Sequence, residues 1–124
     1  MAKKVVSIIG WIFIVIGILG FVPGITSDGM LLGIFAVDAV HNVIHLITGI
    51  LAVWLAMRGE ANAMMYAKIF GVIYILVTIL GFIGDGSVLG IFANNMADNI
   101  LHLVLAVILL WVGFAGKRTA PAAM

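Results

Sequence analysis

Long apolar runs without a single charged residue divide the chain. They cover 5–27, 39–57, 69–84 and 99–116. Each is close to the roughly 20 apolar residues that a helix needs to cross a hydrocarbon core. The runs are continuous rather than alternating, and four spans are too few for a closed barrel, so helices must satisfy the backbone hydrogen bonds in lipid. The pattern predicts four transmembrane helices, near 4–22, 39–57, 63–83 and 96–115.

The composition agrees with a protein that has the lipid bilayer as its main partner. Of 124 residues, 65% are hydrophobic and 9% are charged. A water-soluble domain carries roughly 25–35% charged residues on its surface, and a disordered chain has low hydrophobicity, so both classes are excluded. The net charge of +1 comes without a basic stripe, so no nucleic-acid partner is expected. The absence of cysteine excludes thiol redox chemistry and disulfides.

The charged residues fall on two sides of the predicted spans. The six basic residues lie at the N-terminus, between helices 2 and 3, or at the C-terminus; four of the five acids lie in or beside the other two loops. Because positive residues collect on the cytoplasmic side, both termini are expected in the cytoplasm. The first apolar run is too long for a signal peptide and lacks a small-residue cleavage site, so it is expected to remain as a helix.

The chain also contains an internal duplication. Its first half matches its second at offsets of 61 and then 57 residues, and the clearest matches are Ile18–Phe21 with Ile79–Phe82, Leu32–Ala36 with Leu89–Ala93, Asn42 with Asn99, and His45 with His102. We therefore predict an all-α membrane domain over 1–124, built from tandem parallel two-helix repeats at about 5–57 and 66–114. The Leu-Gly-Ile-Phe-Ala segments are too short to span, and we expect them to be interfacial or re-entrant on the outer side.

Polar residues cluster where helices 2 and 4 begin, and packing alone can account for them. Asp38 and Asn95 are suited to be N-caps, and Asp98 falls in the first turn, where the helix dipole favours an anion. The other members of the cluster can form hydrogen bonds between helices, and they are Asn42, Asn99, His45 and His102. In this interpretation His41 is close enough to water to need no role.

A binding site is the alternative interpretation, because polar residues within membrane spans are costly and often functional. His45 and His102 lie at matched depth and could be the axial ligands of haem b, with Gly49 and Ala106 leaving room for the macrocycle. In the other form, Zn²⁺ or Cu²⁺ is bound by imidazole and carboxylate groups; the candidate ligands are His41, His45, Asp98 and His102.

A proton or ion conduit is a second alternative, which requires ionisable groups across the membrane. Below the histidines the spans offer only Thr48, Thr78 and Tyr74, which argues against a conduit. Phosphate-binding loops and hydrolase motifs are absent from the sequence, so an enzyme is not expected. Glycines such as Gly10, Gly17 and Gly71 are interpreted as close-packing positions between helices.

The two elements Asn42-x-x-His45-Leu46 and Asn99-x-x-His102-Leu103, together with Gly20-Phe21-Val22-Pro23-Gly24, carry a family resemblance. From about residue 5 to residue 116 the chain resembles an uncharacterised bacterial four-span membrane family, domain of unknown function 4383. The resemblance implies a prokaryotic inner-membrane protein and no particular activity. The leading hypothesis is a structural or accessory protein that packs as a homo-oligomer or in a larger membrane complex, without a cofactor.

Overall fold

Four long helices dominate the structure, a computed structural model that describes residues 1–115. The helices are α1 (Ala2–Leu19), α2 (Ala39–Met57), α3 (Glu60–Ile83) and α4 (Met96–Leu110), and a π-helical turn, Trp111–Ala115, continues α4. Four helical spans, the last of them Met96–Ala115, are long and apolar enough to cross a membrane. The predicted four-helix membrane fold is confirmed. The predicted positions of Lys117, Arg118 and Met124 fall outside the described residues.

Helix ends differ from the predicted ones by a few residues. The helix α1 ends at Leu19, because residues 20–22 form a turn. The helix α3 begins at Glu60 instead of residue 63, directly after Gly59, whose φ of 126° suits glycine. The Glu60 carboxylate accepts hydrogen bonds from the backbone N–H groups of Ala2 and Lys3 at 2.8 and 2.9 Å. This contact joins the beginnings of α1 and α3, and it was not predicted.

Short antiparallel strands occupy the loop between α1 and α2 and the loop between α3 and α4. The strands are β1 (Thr26–Ser27), β2 (Met30–Leu31), β3 (Phe35–Ala36), β4 (Ser87–Val88) and β5 (Phe92–Ala93). The order β1-β2-β3 makes one small sheet, and β4 pairs with β5. The Leu-Gly-Ile-Phe-Ala segments thus form hairpin turns, a geometry that was not predicted. In a hairpin the strands satisfy much of each other's backbone hydrogen bonding, which suits an apolar segment at the membrane surface.

The two hairpins have the same local geometry, 57 residues apart. Met30 pairs with Ala36, and Ser87 pairs with Ala93. Each turn contains a left-handed leucine, with φ values of 55° and 54° at Leu32 and Leu89, and each leucine is followed by a glycine at 70°. These similarities agree with a duplication, whereas the two-fold relation between the halves stays a prediction.

The helices pack as α1 against α2 and α3 against α4, with glycines at close approaches. A Cβ on Gly10 would lie 2.8 Å from the carbonyl oxygen of Gly49, and one on Gly49 would lie 2.7 Å from that of Gly10. A Cβ on Gly71 would meet Leu110 at 2.8 Å. The interpretation of Gly10 and Gly71 as packing positions is confirmed.

Apolar residues are found both inside and outside the bundle. Phe13, Tyr66 and Leu109 are completely buried in the core, whereas Ile47, Leu76 and other apolar side chains are half exposed along the helices. A soluble bundle would place polar residues on that outer face. The apolar exterior is suited to lipid, so the chain is a membrane protein with a polar cluster in its interior.

Candidate functional site

The beginnings of α2 and α4 are fixed by side-chain caps. The Asp38 carboxylate accepts a hydrogen bond from the His41 backbone N–H at 2.8 Å. Asn95 accepts one from the Asp98 N–H, and Asp98 accepts one in return from the Asn95 N–H, both at 3.0 Å. Reciprocal bonds of this kind form a capping box. Both predicted N-caps are confirmed, and they set the orientation of the first turns, from which the polar side chains project.

Three histidines come together just below these caps. His41 and His45 are one turn apart on α2, and His102 faces them from α4; all three are at most 3% exposed. One ring nitrogen from each histidine lies within 4.8 Å of one ring nitrogen from each of the other two. The ring centroid of His41 lies 4.5 Å from that of His45 and 5.9 Å from that of His102. His41 therefore belongs to a buried cluster, and the interpretation that placed it near water was wrong.

The hydrogen bonds of the cluster are unusual for buried histidines. His41 Nδ1 lies 3.0 Å from the Ala36 carbonyl oxygen. Because a carbonyl only accepts, Nδ1 must carry the proton, and the lone pair of neutral His41 is then on Nε2. That Nε2, both ring nitrogens of His45 and Nδ1 of His102 are buried without a hydrogen-bond partner in the described part of the chain. Buried polar groups are nearly always paired, so each neutral ring has a lone pair that is available to a ligand.

Asp98 and Asn99, which lie in the same polar cluster, are hydrogen-bonded to groups other than the histidines. Besides the Asn95 N–H, Asp98 Oδ2 accepts a hydrogen bond from the Ala36 N–H at 3.1 Å. Asn99 Oδ1 accepts one from the Asn94 amide at 2.8 Å. The Asn42 side chain lies against Gly20, and its Oδ1 has no hydrogen-bond partner in the described part of the chain. The structure therefore groups three histidines and leaves Asp98 in a capping role. Asn94, which is buried beside Asn99, was not singled out from the sequence, because one asparagine in a loop carries no distinctive spacing.

Aromatic rings enclose the cluster on several sides. Phe13 of α1 stacks on His45 with ring centroids 5.1 Å apart. Tyr74 of α3 packs on His102 at 5.5 Å, and Phe92 of the second hairpin covers His41 at 4.9 Å. These rings surround the imidazoles and keep water away from them.

A cavity of about 200 Å³ adjoins the histidines. It lies between α2 and α3, and its walls are lined by Ile44, Thr48, Phe70, Ile73 and Val77. Ile73 at its edge is 40% exposed on the surface of the bundle. An ion or a small molecule has room here beside the imidazoles.

The residues do not suit a haem. Gly49 was expected to leave space for the macrocycle, but its Cβ position is filled by the backbone of α1, 2.9 Å from the Ile14 nitrogen. Ala106 is completely buried in the apolar core. Pockets for molecules of drug size usually measure about 300–1,000 Å³, and the cavity beside the histidines is smaller than this.

A single metal ion suits the cluster better. Zn–N bonds of about 2.0–2.1 Å in a tetrahedral site place the nitrogens roughly 3.4 Å apart. The ring nitrogens lie within 4.8 Å of one another, so modest side-chain rotations would close the set around an ion. A three-histidine set leaves the fourth position of zinc open, and the adjacent cavity has room for a ligand there.

The region below the histidines offers little to a conduit. The hydroxyl groups of Thr48 and Thr78 donate to carbonyl oxygens of their own helices, at 2.8 and 2.7 Å. The Tyr66 hydroxyl donates to the Thr48 carbonyl at 3.0 Å. An ion path needs ligands throughout the membrane depth, and in the described part of the chain the core beyond these hydroxyls is formed mainly by apolar side chains.

Comparison with known proteins gives a family without a known role. The sequence model of the family described as "Domain of unknown function (DUF4383)" matches residues 3–115. No curated protein matches the chain, and no solved structure matches it.

Proposed function

The chain belongs to this family of unknown function, and we propose that it binds a divalent transition-metal ion, Zn²⁺ or Cu²⁺, within the membrane. His41, His45 and His102 are the ligands. The observation that carries the proposal is that three buried imidazoles present ring nitrogens within 4.8 Å of one another. Imidazole is a preferred ligand of both metals.

The hydrogen bond of His41 supports this proposal. A metal-binding histidine commonly donates its second ring N–H to a carbonyl or carboxylate, which fixes the ring and its tautomer. His41 makes such a contact with the Ala36 carbonyl at 3.0 Å. Its Nε2, which is the candidate metal ligand, has no hydrogen-bond partner within residues 1–115.

A purely structural role for the histidines is less well supported. Histidines that only pack should satisfy their buried nitrogens with hydrogen bonds, because each unpaired polar group costs about 1–3 kcal/mol. Neither nitrogen of His45 has a partner in the described part of the chain. The metal would remove part of this penalty by binding to the one lone pair that each neutral ring carries.

The wider role that we propose is non-enzymatic. The protein would hold its metal ion on the outer side of a bacterial inner membrane, alone, as a homo-oligomer, or as an accessory subunit of a membrane complex. The charge distribution supports this orientation, since Arg58 and Lys68 lie at the end of the bundle opposite to the histidines.

The test is the metal content of protein purified without a polyhistidine tag. After incubation with Zn²⁺ or Co²⁺ and removal of free metal, elemental analysis should find about one ion per chain, and Co²⁺ should give the intense visible bands of a tetrahedral site. His41→Gln, His45→Gln and His102→Gln should each lose most of the metal. Thr48 lines the same cavity but has no ring nitrogen. Thr48→Val is therefore the matched control, and this variant should keep the metal.

Folding must be checked in parallel by circular dichroism and gel filtration. A folded triple glutamine variant that binds as much metal as the wild type would contradict the proposal. A folded wild type that binds no metal would contradict it too, and would leave packing as the role of the histidines.

A further inference from the structure

A second cavity, of about 530 Å³, lies at the end of the bundle opposite to the histidines. It is formed between the beginning of α1 and the end of α2, and Lys3, Lys4 and Ser7 supply its polar side chains on α1. Ile8 and Met57 line it as well, and they are 51% and 74% exposed. The cavity therefore combines positive charge with apolar surface at the edge of a membrane bundle.

Helix geometry explains how one cavity acquires both properties. Lys3 and Ser7 are four residues apart, as are Lys4 and Ile8, so each pair shares a face of α1. At 1.5 Å per residue, Ile8 lies about 6 Å deeper than Lys4 along the helix. The cavity is thus charged at the helix end and apolar at greater depth. A phospholipid has the same order, from its charged headgroup to its apolar acyl chains.

Other charged groups at this end of the bundle are already engaged. The Arg58 guanidinium lies over the Trp54 ring at 5.3 Å, and the Lys68 ammonium lies over the Phe114 ring at 5.4 Å. Glu60 also lines the cavity, but its carboxylate is paired with the Met1 ammonium at 3.2 Å and accepts hydrogen bonds from backbone N–H groups at the beginning of α1. The acid therefore offsets the positive end of the helix dipole, and the charge of the two lysines is left to attract an anion.

The pair of lysines occurs only in the first of the two similar halves of the sequence. At the offset of 61 residues, Lys3 and Lys4 correspond to Met64 and Met65. Positive charge at a helix end follows from membrane topology alone, but a cavity between two helices with paired lysines is a more particular arrangement. Basic pockets of this type are known to bind anionic lipid headgroups.

We propose that this cavity binds one anionic phospholipid, with its phosphate held by Lys3, Lys4 and the Ser7 hydroxyl and its glycerol and acyl chains against Ile8 and Met57. The proposal does not depend on the metal site. The Ser7 hydroxyl can donate to a phosphate oxygen, and both ammonium groups are cationic donors. A zwitterionic lipid carries its own cation beside the phosphate and gains less from the lysines.

Native mass spectrometry of the full chain in detergent tests the proposal. Phosphatidylglycerol and phosphatidylcholine with the same acyl chains are added at equal concentration, and the fraction of protein retaining each lipid is compared. The wild type should retain phosphatidylglycerol preferentially. In the variant K3Q/K4Q this preference should fall by about 30-fold, as expected for the loss of two lysines at a membrane surface. The variant R58Q/K68Q removes equal charge outside the cavity and should keep the preference.

A cavity-filling variant and a competition with inorganic phosphate complete the test. Met57→Trp fills the cavity without changing any charge and should also weaken retention of phosphatidylglycerol, which keeps the test informative if K3Q/K4Q folds poorly. Inorganic phosphate should compete weakly; if it displaces the lipid efficiently, the site is one for free phosphate and the lipid proposal is overturned. Equal loss of lipid in K3Q/K4Q and R58Q/K68Q would also overturn it, because the attraction would then be a property of total charge.

Discussion

Asp38 Oδ2 accepts a hydrogen bond from the backbone N–H of Ala93 at 2.8 Å, and thereby joins the beginning of α2 to the second hairpin, β4–β5. A reciprocal bond exists in the other half, where Asp98 Oδ2 accepts from the N–H of Ala36 in the first hairpin at 3.1 Å. Ala36 and Ala93 are equivalent in the proposed repeat. Each hairpin is therefore attached to a helix of the opposite half, which closes this end of the bundle over the histidines.

The cap of α2 should be important for stability. Asp38→Ala removes both the bond to the His41 N–H and the bond to the Ala93 N–H, and should lower the free energy of unfolding by about 1–2 kcal/mol. Thermal unfolding in detergent measures the effect. Asp85→Ala, at an exposed loop position, is the control and should change stability by less than about 0.5 kcal/mol. Equal melting temperatures for the two variants would show that neither hydrogen bond of Asp38 contributes measurably to stability.

Metal binding should stabilise the fold. A ligand that binds only the folded state at 100 times its Kd adds about 2.7 kcal/mol to the free energy of unfolding. We therefore expect Zn²⁺ to raise the melting temperature and a chelator to reverse the change. His45→Gln, which lacks a required ligand, should show no response to either. A metal-dependent increase of the same size in His45→Gln would place the ion somewhere other than the histidine cluster.

The contact between Gly10 and Gly49 should tolerate no side chain. In Gly49→Ala the new methyl group would lie 2.7 Å from the Gly10 carbonyl oxygen and 2.9 Å from the Ile14 nitrogen. Because backbone atoms cannot rotate away, α1 and α2 must separate, at a cost of about 1–3 kcal/mol. Gly33→Ala is the comparison. There the new methyl group would meet no atom within 4 Å, and the backbone strain comes only from the φ of 70°.

Gly49→Ala should also disturb the histidine cluster, since His45 lies one turn away on the same helix. Combining it with metal analysis separates the two effects. Gly49→Ala should lose both stability and metal, whereas Gly33→Ala should lose some stability and keep the metal. Full metal content in a destabilised Gly49→Ala variant would mean that the cluster does not depend on close packing of α1 and α2.

Membrane orientation can be tested with single cysteines, because the natural chain has none. The positive-inside rule predicts that residues 1, 58 and 124 face the cytoplasm and that residues 28 and 85 face outward. In intact cells, a membrane-impermeant thiol reagent should label Asp28→Cys and Asp85→Cys, and it should not label Arg58→Cys. The reverse pattern would invert the predicted topology and place the histidines on the cytoplasmic side.

Much of the fold is determined by the sequence itself. Four apolar runs of spanning length leave the helix as the only structure that can satisfy the backbone in lipid, so helix number and approximate position follow directly. Helix caps were predicted equally well, because Asp38 and Asn95 act on residues three positions away in the chain. Interactions of such short range can be read from spacing.

Tertiary structure decided which polar residues come together. His45 and His102 were recognised as a pair through the duplication, but spacing alone could not show that Asp98 would bind the backbone of the opposite hairpin while His41 turned inward. The hairpins were missed because their strands have only two residues each, too few for an alternating pattern. The site depends on contacts between residues about 60 positions apart, and these are set by how the helices and hairpins pack in three dimensions.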